Sequence, residues 1–295
     1  MIDLHIHTTH SDGTKTVTEI LKQAEALRLD YISITDHDKC SAYDELKNID
    51  VSNYYSGKII KGIEIKAFYK ESTIDILGYN YDYDKMKNWV YEYYKNKDRK
   101  IIEKKYFNKL YDVCEKLNLV MTPRNEIIWN PEIEWASTII YSEIKSHPEN
   151  RAKLPEDLWN EGPRTFSKKY YCKKDTIWYL DKSEDYPSVK EAVTAIKKCG
   201  GLVFLPHIFI YKWMKNIENE LDELVKNYEI DGLECYHSDF TEENIKYLNE
   251  YCDKNKLFKS GGSDYHGANK PDISLAIGKG NLQIPTDIIR SWYKK

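Results

Sequence analysis

His5 and His7 stand two apart at the end of an apolar run, Met1 to His7. In an extended strand, residues i and i+2 share one side, so both imidazoles face one spot. That geometry suits two ligands on one metal ion. Asp12 follows in a turn marked by Gly13 and offers a hard oxygen ligand. A His-x-His pair alone also has a plain structural reading, two histidines on one strand face. The pattern gains weight because it recurs. The run Tyr31–Thr35 ends in Asp36-His37-Asp38, and Ile59–Ile63 ends in Glu64. Gly201–Pro206 ends in His207, and Leu257–Ser260 leads into Gly261-Gly262-Ser263-Asp264-Tyr265-His266. Taken singly, Asp36 is a candidate helix N-cap, Glu64 an edge-strand carboxylate and His207 a satisfied core histidine. Taken together, apolar strands that end in His, Asp or Glu are what a parallel barrel needs to build a metal site at its C-terminal face.

The elements that must position these residues alternate along the chain. Strand Met1–His7 leads to a helix whose start, Thr16-Val17-Thr18-Glu19, has the capping-box pattern. Ile20, Leu21, Ala24 and Leu27 then recur at helical spacing. Strand Tyr31–Thr35, a short helix over Ser41–Lys47, and strands Ile59–Ile65 and Thr73–Gly78 follow. Residues Asp84–Leu117, rich in Lys, Glu and Tyr, predict one long helix or two. Residues 121–186 are irregular, broken by Pro123, Pro131, Pro148, Pro155 and Pro163. A connection of that length rarely lacks structure of its own, so 81–185 is expected to be a mainly helical insertion. Alternation resumes with helix Ser188–Cys199, strand Leu202–Pro206, helix Lys212–Lys226, strand Gly232–Tyr236, helix Thr241–Lys254 and strand Leu257–Ser260. This order predicts an α/β fold with a parallel sheet, either a barrel or an open sheet.

Composition narrows the class. The 295 residues can bury a full core and exceed the roughly 250 typical of a barrel. With 44 basic and 48 acidic residues the net charge is −4, which argues against a protein that coats nucleic acid, and no stable nucleic-acid complex is expected. There is no apolar run of 18 or more residues, so no membrane span is expected. Asp3, His5 and His7 interrupt any signal-peptide core. The six cysteines include no C-x-x-C pair and predict free thiols in a reducing cytoplasm.

The motifs also carry a family resemblance. The chain resembles the PHP (polymerase and histidinol phosphatase) family of metal-dependent phosphoesterases. The matching stretches are Asp3–Thr14, Ile34–Asp38, Gly62–Ile65, Asp75–Tyr79, Gly200–His207 and Gly261–Gly267, in the family's order. The resemblance is weak over residues 81–185. It implies a distorted (β/α)7 TIM-like barrel formed by 1–80 and 186–295, with 81–185 as a helical insertion covering the active site.

The resemblance further implies a site for two or three divalent ions. His5, His7, Glu64 and Asp264 would hold the first ion, and Glu64 would bridge to a second held by Asp75 and His207. Asp12, His37 and His266 would hold the third. Where the family commonly has histidine, this chain has Asp75. A carboxylate is harder than imidazole and favours manganese, iron or magnesium over zinc, manganese foremost. Four ligand carboxylates against three divalent ions leave about two excess positive charges, which a phosphate dianion would neutralise. The implied reaction is hydrolysis of a phosphate monoester by a metal-bound hydroxide, with Glu64 and Asp264 as the central catalytic carboxylates. His237, at the end of another strand, is the first candidate general acid. Lys15, Arg164 and Lys212 are candidate phosphate-contacting cations, whereas His10 and His147 lack a strand-end context. The stretch Asp75–Tyr79 looks most like the branch acting on nucleoside phosphates and short oligonucleotides. Other readings are a histidinol-phosphate-type phosphatase, a metallohydrolase of the amidohydrolase type, and a non-catalytic binding module.

Overall fold

The computed structural model describes residues 1–160, 162–211 and 213–293. Its described strands are β1 (Ile2–Ile6), β2 (Tyr31–Ile34), β3 (Lys58–Ile59), β4 (Gly62–Tyr69), β5 (Ser72–Tyr79), β6 (Leu202–Leu205), β7 (Gly232–His237) and β8 (Phe258–Gly262). The helices are α1 (Val17–Ala26), α2 (Ser41–Lys47), α3 (Tyr83–Tyr94), α4 (Arg99–Lys116), α5 (Ala136–Ser146), α6 (Glu156–Asn160), α7 (Pro163–Phe166), α8 (Val189–Lys198), α9 (Ile217–Asn227) and α10 (Glu242–Asn255). The fold is α/β, in two compact units. One contains Met1–Ala67, Ile74–Glu92 and Pro187–Lys295; the other contains Phe68–Thr73 and Tyr93–Tyr186.

Within the first unit, β1, β2 and β3 form one parallel sheet. A second sheet has the order β4-β5-β6-β7-β8. Isolated parallel bridges at Ile6–Tyr265 and His37–Glu64 link residues of the two sheets. Two expectations need correction. The strand expected over Ile59–Ile65 is two strands, because Ile60 and Lys61 break the ladder between β3 and β4. The sheet is mixed, since β5 pairs antiparallel with β6 through Leu77–Phe204 and Tyr79–Leu202. The cause is local: only Lys70 and Glu71 separate β4 from β5. A link that short joins antiparallel neighbours, and Lys70 takes the positive φ (55°) common in such turns.

Burial explains why the polar strand ends survive. Ile2, Leu4, Leu77, Tyr79, Phe204 and Trp292 share one apolar core. The Tyr79 hydroxyl donates to Leu4 O at 2.8 Å, and its ring stacks on Trp292 at 5.5 Å. The cap at Thr16 forms as the sequence predicts, closing a capping box with Glu19, and Ser188 closes another with Glu191. Helix α9 begins at Ile217, not Lys212, because Asn216 is the residue that caps it. Close approach makes one glycine necessary. A Cβ on Gly262 would lie 2.2 Å from His5 Cβ and 2.4 Å from His5 N.

In the other unit, Asp84–Leu117 resolves into two helices, α3 contributing its last residues and α4 the rest. The stretch expected to be irregular contains α5, which packs Ile140 and Ile144 against Leu110 and Cys114 of α4. Asp185 accepts from Lys105 Nζ at 2.8 Å and Tyr106 Oη at 2.7 Å.

Candidate metal centre

Strand alternation does what the His-x-His spacing predicts. The rings of His5 and His7 lie with centroids 5.2 Å apart, both completely buried. Glu64, from β4, sits among four histidines. Its Oε2 lies 3.2 Å from His5 Nε2, 3.1 Å from His7 Nε2 and 3.2 Å from His37 Nδ1. Its Oε1 lies 2.9 Å from His207 Nε2. Asp264 Oδ1 stands 3.4 Å from His7 Nε2 and 3.7 Å from His5 Nε2. Asp12 Oδ1 stands 3.3 Å from His266 Nε2 and 3.5 Å from His7 Nδ1. Four sets of potential ligand atoms lie within 4.8 Å of one another: His7/Asp12/His37/His266, His5/His7/Asp264, His5/Glu64/His207 and His37/Glu64/Asp75. All nine residues singled out in the sequence as ligands fall in these sets.

The donor set fits divalent ions. His5 Nε2, His7 Nε2, His37 Nδ1 and Asp75 Oδ1 are buried without a hydrogen-bond partner. Buried polar atoms are seldom left so, and an ion is one recognised explanation. Two ligands each about 2.0–2.2 Å from a shared ion stand roughly 3 Å apart, the spacing seen around Glu64.

Backbone strain coincides with the cluster. His207 (φ 30°) and Asp264 (φ 56°) are non-glycine residues in the left-handed region. Such conformations cost about 1–3 kcal/mol each and persist where the surroundings fix them. Glu234 Oε2 takes the His207 amide at 2.8 Å, and His5 O takes the Asp264 amide at 2.9 Å.

Electrostatics divide the histidines. Burial opposes charge on His7, but the facing carboxylates of Asp264 and Glu64 outweigh it and raise its pKa to about 9. His5 is likewise raised well above the ordinary range, against burial, by the charges of Glu64, Glu234 and Asp264. For His37, burial wins over Glu64 and Asp12 and pushes the pKa down to about 4. Burial would raise the Glu64 and Asp264 carboxyls, yet their cationic neighbours hold both well below the usual carboxylate range.

The remaining candidates are placed as follows. His237 is fully buried, with Nε2 3.4 Å from Asp264 Oδ2, and its Nδ1 accepts the Asp239 amide at 3.1 Å. Lys15 pairs with Glu19 at 3.1 Å on α1. Lys212 and the side chain of Arg164 lie outside the described residues. His10 pairs with Glu45 at 2.9 Å and His147 with Glu143 at 3.0 Å.

Three contributors escape sequence reasoning, and a fourth, Asp36, is marked there only as a candidate N-cap. Lys270 Nζ bonds Asp264 Oδ2. Glu234 bonds His5 and His207. Asp36 accepts from Thr8 N at 2.8 Å, Thr8 Oγ1 at 2.7 Å and Ser11 Oγ, and so shapes the loop that carries Asp12. Tyr211 bonds Asp75. Glu234 had a usable signal, a carboxylate inside an apolar strand, the same signal that marks Glu64.

A buried cluster of histidines and carboxylates at the strand ends of an α/β fold defines a candidate centre for divalent metal ions. The chain is similar to the PHP family: the PHP domain model matches residues 3–140. It is a hydrolase acting on phosphate esters. The match runs past residue 80, into the stretch whose resemblance is weak on motifs alone. A 5'-3' exoribonuclease from Haemophilus influenzae is 24% identical over 99% of this chain and 98% of its own length. A phosphoribosyl 1,2-cyclic phosphate 1,2-diphosphodiesterase from Eggerthella lenta is 25% identical over 90% of this chain and 94% of its own. Two solved structures share the fold. One, from Bifidobacterium adolescentis, is provisionally described as a metal-dependent phosphoesterase (TM-score 0.66, 23% identity, 98% of this chain and 94% of that one). The other is described as an amidohydrolase from Chromobacterium violaceum with bound sulfate (TM-score 0.64, 18% identity, 97% and 92%).

Proposed function

We propose that this chain hydrolyses phosphate esters of nucleotides and short oligonucleotides at a centre of two or three divalent ions, manganese favoured. The observation that carries the reading is the set of unpartnered buried donor atoms grouped around Glu64. His5, His7, Glu64 and Asp264 would hold one ion, Asp75 and His207 with Glu64 a second, and Asp12, His37 and His266 a third. Bound there, the ions supply an activated water and offset phosphoryl charge. The protein's own groups do the rest. His237 accepts the Asp239 amide on Nδ1, so its proton sits on Nε2, facing the cluster. We assign it the proton that the leaving oxygen takes as the P–O bond breaks. We assign phosphate contact to Lys270 together with Lys15, Arg164 and Lys212.

Substrate class is supported by the exoribonuclease relative, which aligns over nearly both full lengths. That relative and the cyclic-phosphate relative widen the proposal from monoesters to diesters, the latter as a second reading. We take the sheets to close as a distorted barrel, supported by the Ile6–Tyr265 and His37–Glu64 bridges. We give the helical unit the role of substrate selection. We propose a cytoplasmic location, supported by six free thiols, Cys235 and Cys252 meeting as hydrogen-bonded thiols with sulfurs 3.5 Å apart. No described helix is long and apolar enough to cross a membrane.

The test is a turnover screen of manganese-loaded protein on mononucleotides, 5'-phosphorylated oligoribonucleotides, a ribose cyclic phosphate, histidinol phosphate, and an amide and lactone panel. Fastest turnover of the nucleotide or oligonucleotide substrates supports the proposal. Turnover confined to amides or lactones, or no turnover of any phosphate ester, overturns it.

A further inference from the structure

Two strand segments far apart in sequence meet in space. Asp75 lies on β5, and Pro206-His207-Ile208 begins the segment that follows β6. That segment ends at Tyr211, whose ring packs edge-on to His207 with centroids 5.6 Å apart. Tyr211 is 8% exposed. Its hydroxyl oxygen accepts the Asp75 amide at 2.7 Å and donates to Asp75 Oδ2 at 3.1 Å. One phenol thus holds both the main chain and the side chain of one residue, 136 positions away in sequence.

The two carboxylate oxygens of Asp75 are thereby made unequal. Oδ2 has a partner, whereas Oδ1 is buried without one, and Asp75 is a member of the His37/Glu64/Asp75 set. A carboxylate is shorter than an imidazole and turns about its last bond, so a ligand of this kind needs an outer partner to fix its direction. Resting on the metal-centre reading above, we propose that Tyr211 is a positioning residue: its hydroxyl holds Asp75 by Oδ2 and leaves Oδ1 to serve as ligand to the ion that Asp75 would share with Glu64.

The experiment titrates Mn²⁺ into metal-free protein by calorimetry, with metal content measured after dialysis. It compares wild type, Tyr211→Phe, Asp75→His and the double variant. Tyr211→Phe keeps the ring and removes only the hydroxyl. The expected result is that one manganese site weakens about 10–100-fold while the other sites stay within about twofold. In the Asp75→His background the same change should move no site by more than about twofold, since no carboxylate remains to be held. Wild-type affinities in Tyr211→Phe overturn the inference. So do equal losses in both backgrounds, which would mark a packing role, and so does a Tyr211→Phe protein that fails to fold. Wild type that takes up no metal overturns the phosphoesterase reading together with this one. Wild type that loads and hydrolyses phosphate esters, beside a Tyr211→Phe variant that loads identically, overturns this inference alone.

Discussion

His5 Nδ1 lies 2.9 Å from Oε1 of Glu234, and both side chains are fully buried. This bond turns the other ring nitrogen, Nε2, toward Glu64 and Asp264. The second Glu234 oxygen accepts the backbone amide of the strained His207. A single carboxylate from β7 therefore directs two residues of the cluster, one from β1 and one that follows β6.

Glu234→Gln is expected to weaken metal binding about 10–100-fold, the usual cost of losing an outer-shell partner of a ligating histidine. The amide can accept from His5 or from the His207 amide, but its NH2 group cannot replace the second acceptor. Equilibrium dialysis against manganese, with circular dichroism to check the fold, measures the effect. Unchanged affinity would show that His5 needs no such support.

Glu64→Gln and Asp264→Ala should each lower phosphate-ester hydrolysis by at least about 10³ and reduce bound metal. Glu64 is the one carboxylate within 3.2 Å of His5, His7, His37 and His207 together. The apolar core around Leu4, Tyr79 and Trp292 is separate from these side chains, so the variants should still fold. Steady-state turnover of p-nitrophenyl phosphate beside metal analysis is the measurement. A metal-loaded variant of near-normal rate would end the assignment.

Activity should be highest with Mn²⁺ and lower with Zn²⁺, and Asp75→His should narrow or reverse that order. Carboxylate oxygen favours manganese-type ions relative to imidazole, while zinc gains from nitrogen donors. Rates are compared after loading metal-free protein with each ion. Coincident profiles for wild type and variant would remove Asp75 from the ligand set.

Metal binding should tighten as pH rises from about 6 to about 9. Histidine ligates only when neutral. The His7 pKa is raised to about 9, against burial, by the facing carboxylates of Asp264 and Glu64, so at neutral pH it is protonated and must release its proton to bind. His37, pushed down to about 4 by burial, is already neutral and releases none. The same shifts set the stability of the metal-free fold. The raised His7 stabilises it fully below its ordinary value of 6.5, and that contribution is lost as pH rises through about 9. The depressed His37 acts oppositely: its contribution is present above 6.5 and lost as pH falls through about 4. Calorimetric titrations in buffers of different ionisation enthalpy count the protons released. Binding at pH 7.5 that releases none would contradict the His7 assignment.

Sequence alone determined which residues stand at the strand ends and in what order. Period-two alternation put His5 and His7 on one side, and apolar runs ending in Glu64, His207 and Asp264 marked further strand ends of the same character. These are local properties, readable within a few residues. The capping box at Thr16 was legible for the same reason. The reversal at β5 was missed because the strand-like runs were read as ending at Ile65 and starting at Thr73. Their extension to Tyr69 and Ser72 comes from pairing between strands rather than from composition. Only the tertiary structure decided what stands behind the ligands. Glu234 meets His5 across 229 residues and Tyr211 meets Asp75 across 136, joined by topology and by no spacing a sequence pattern contains. Hydrogen-bond partners in a buried cluster are selected by the packing that excludes water, and that selection exists only once the strands are side by side.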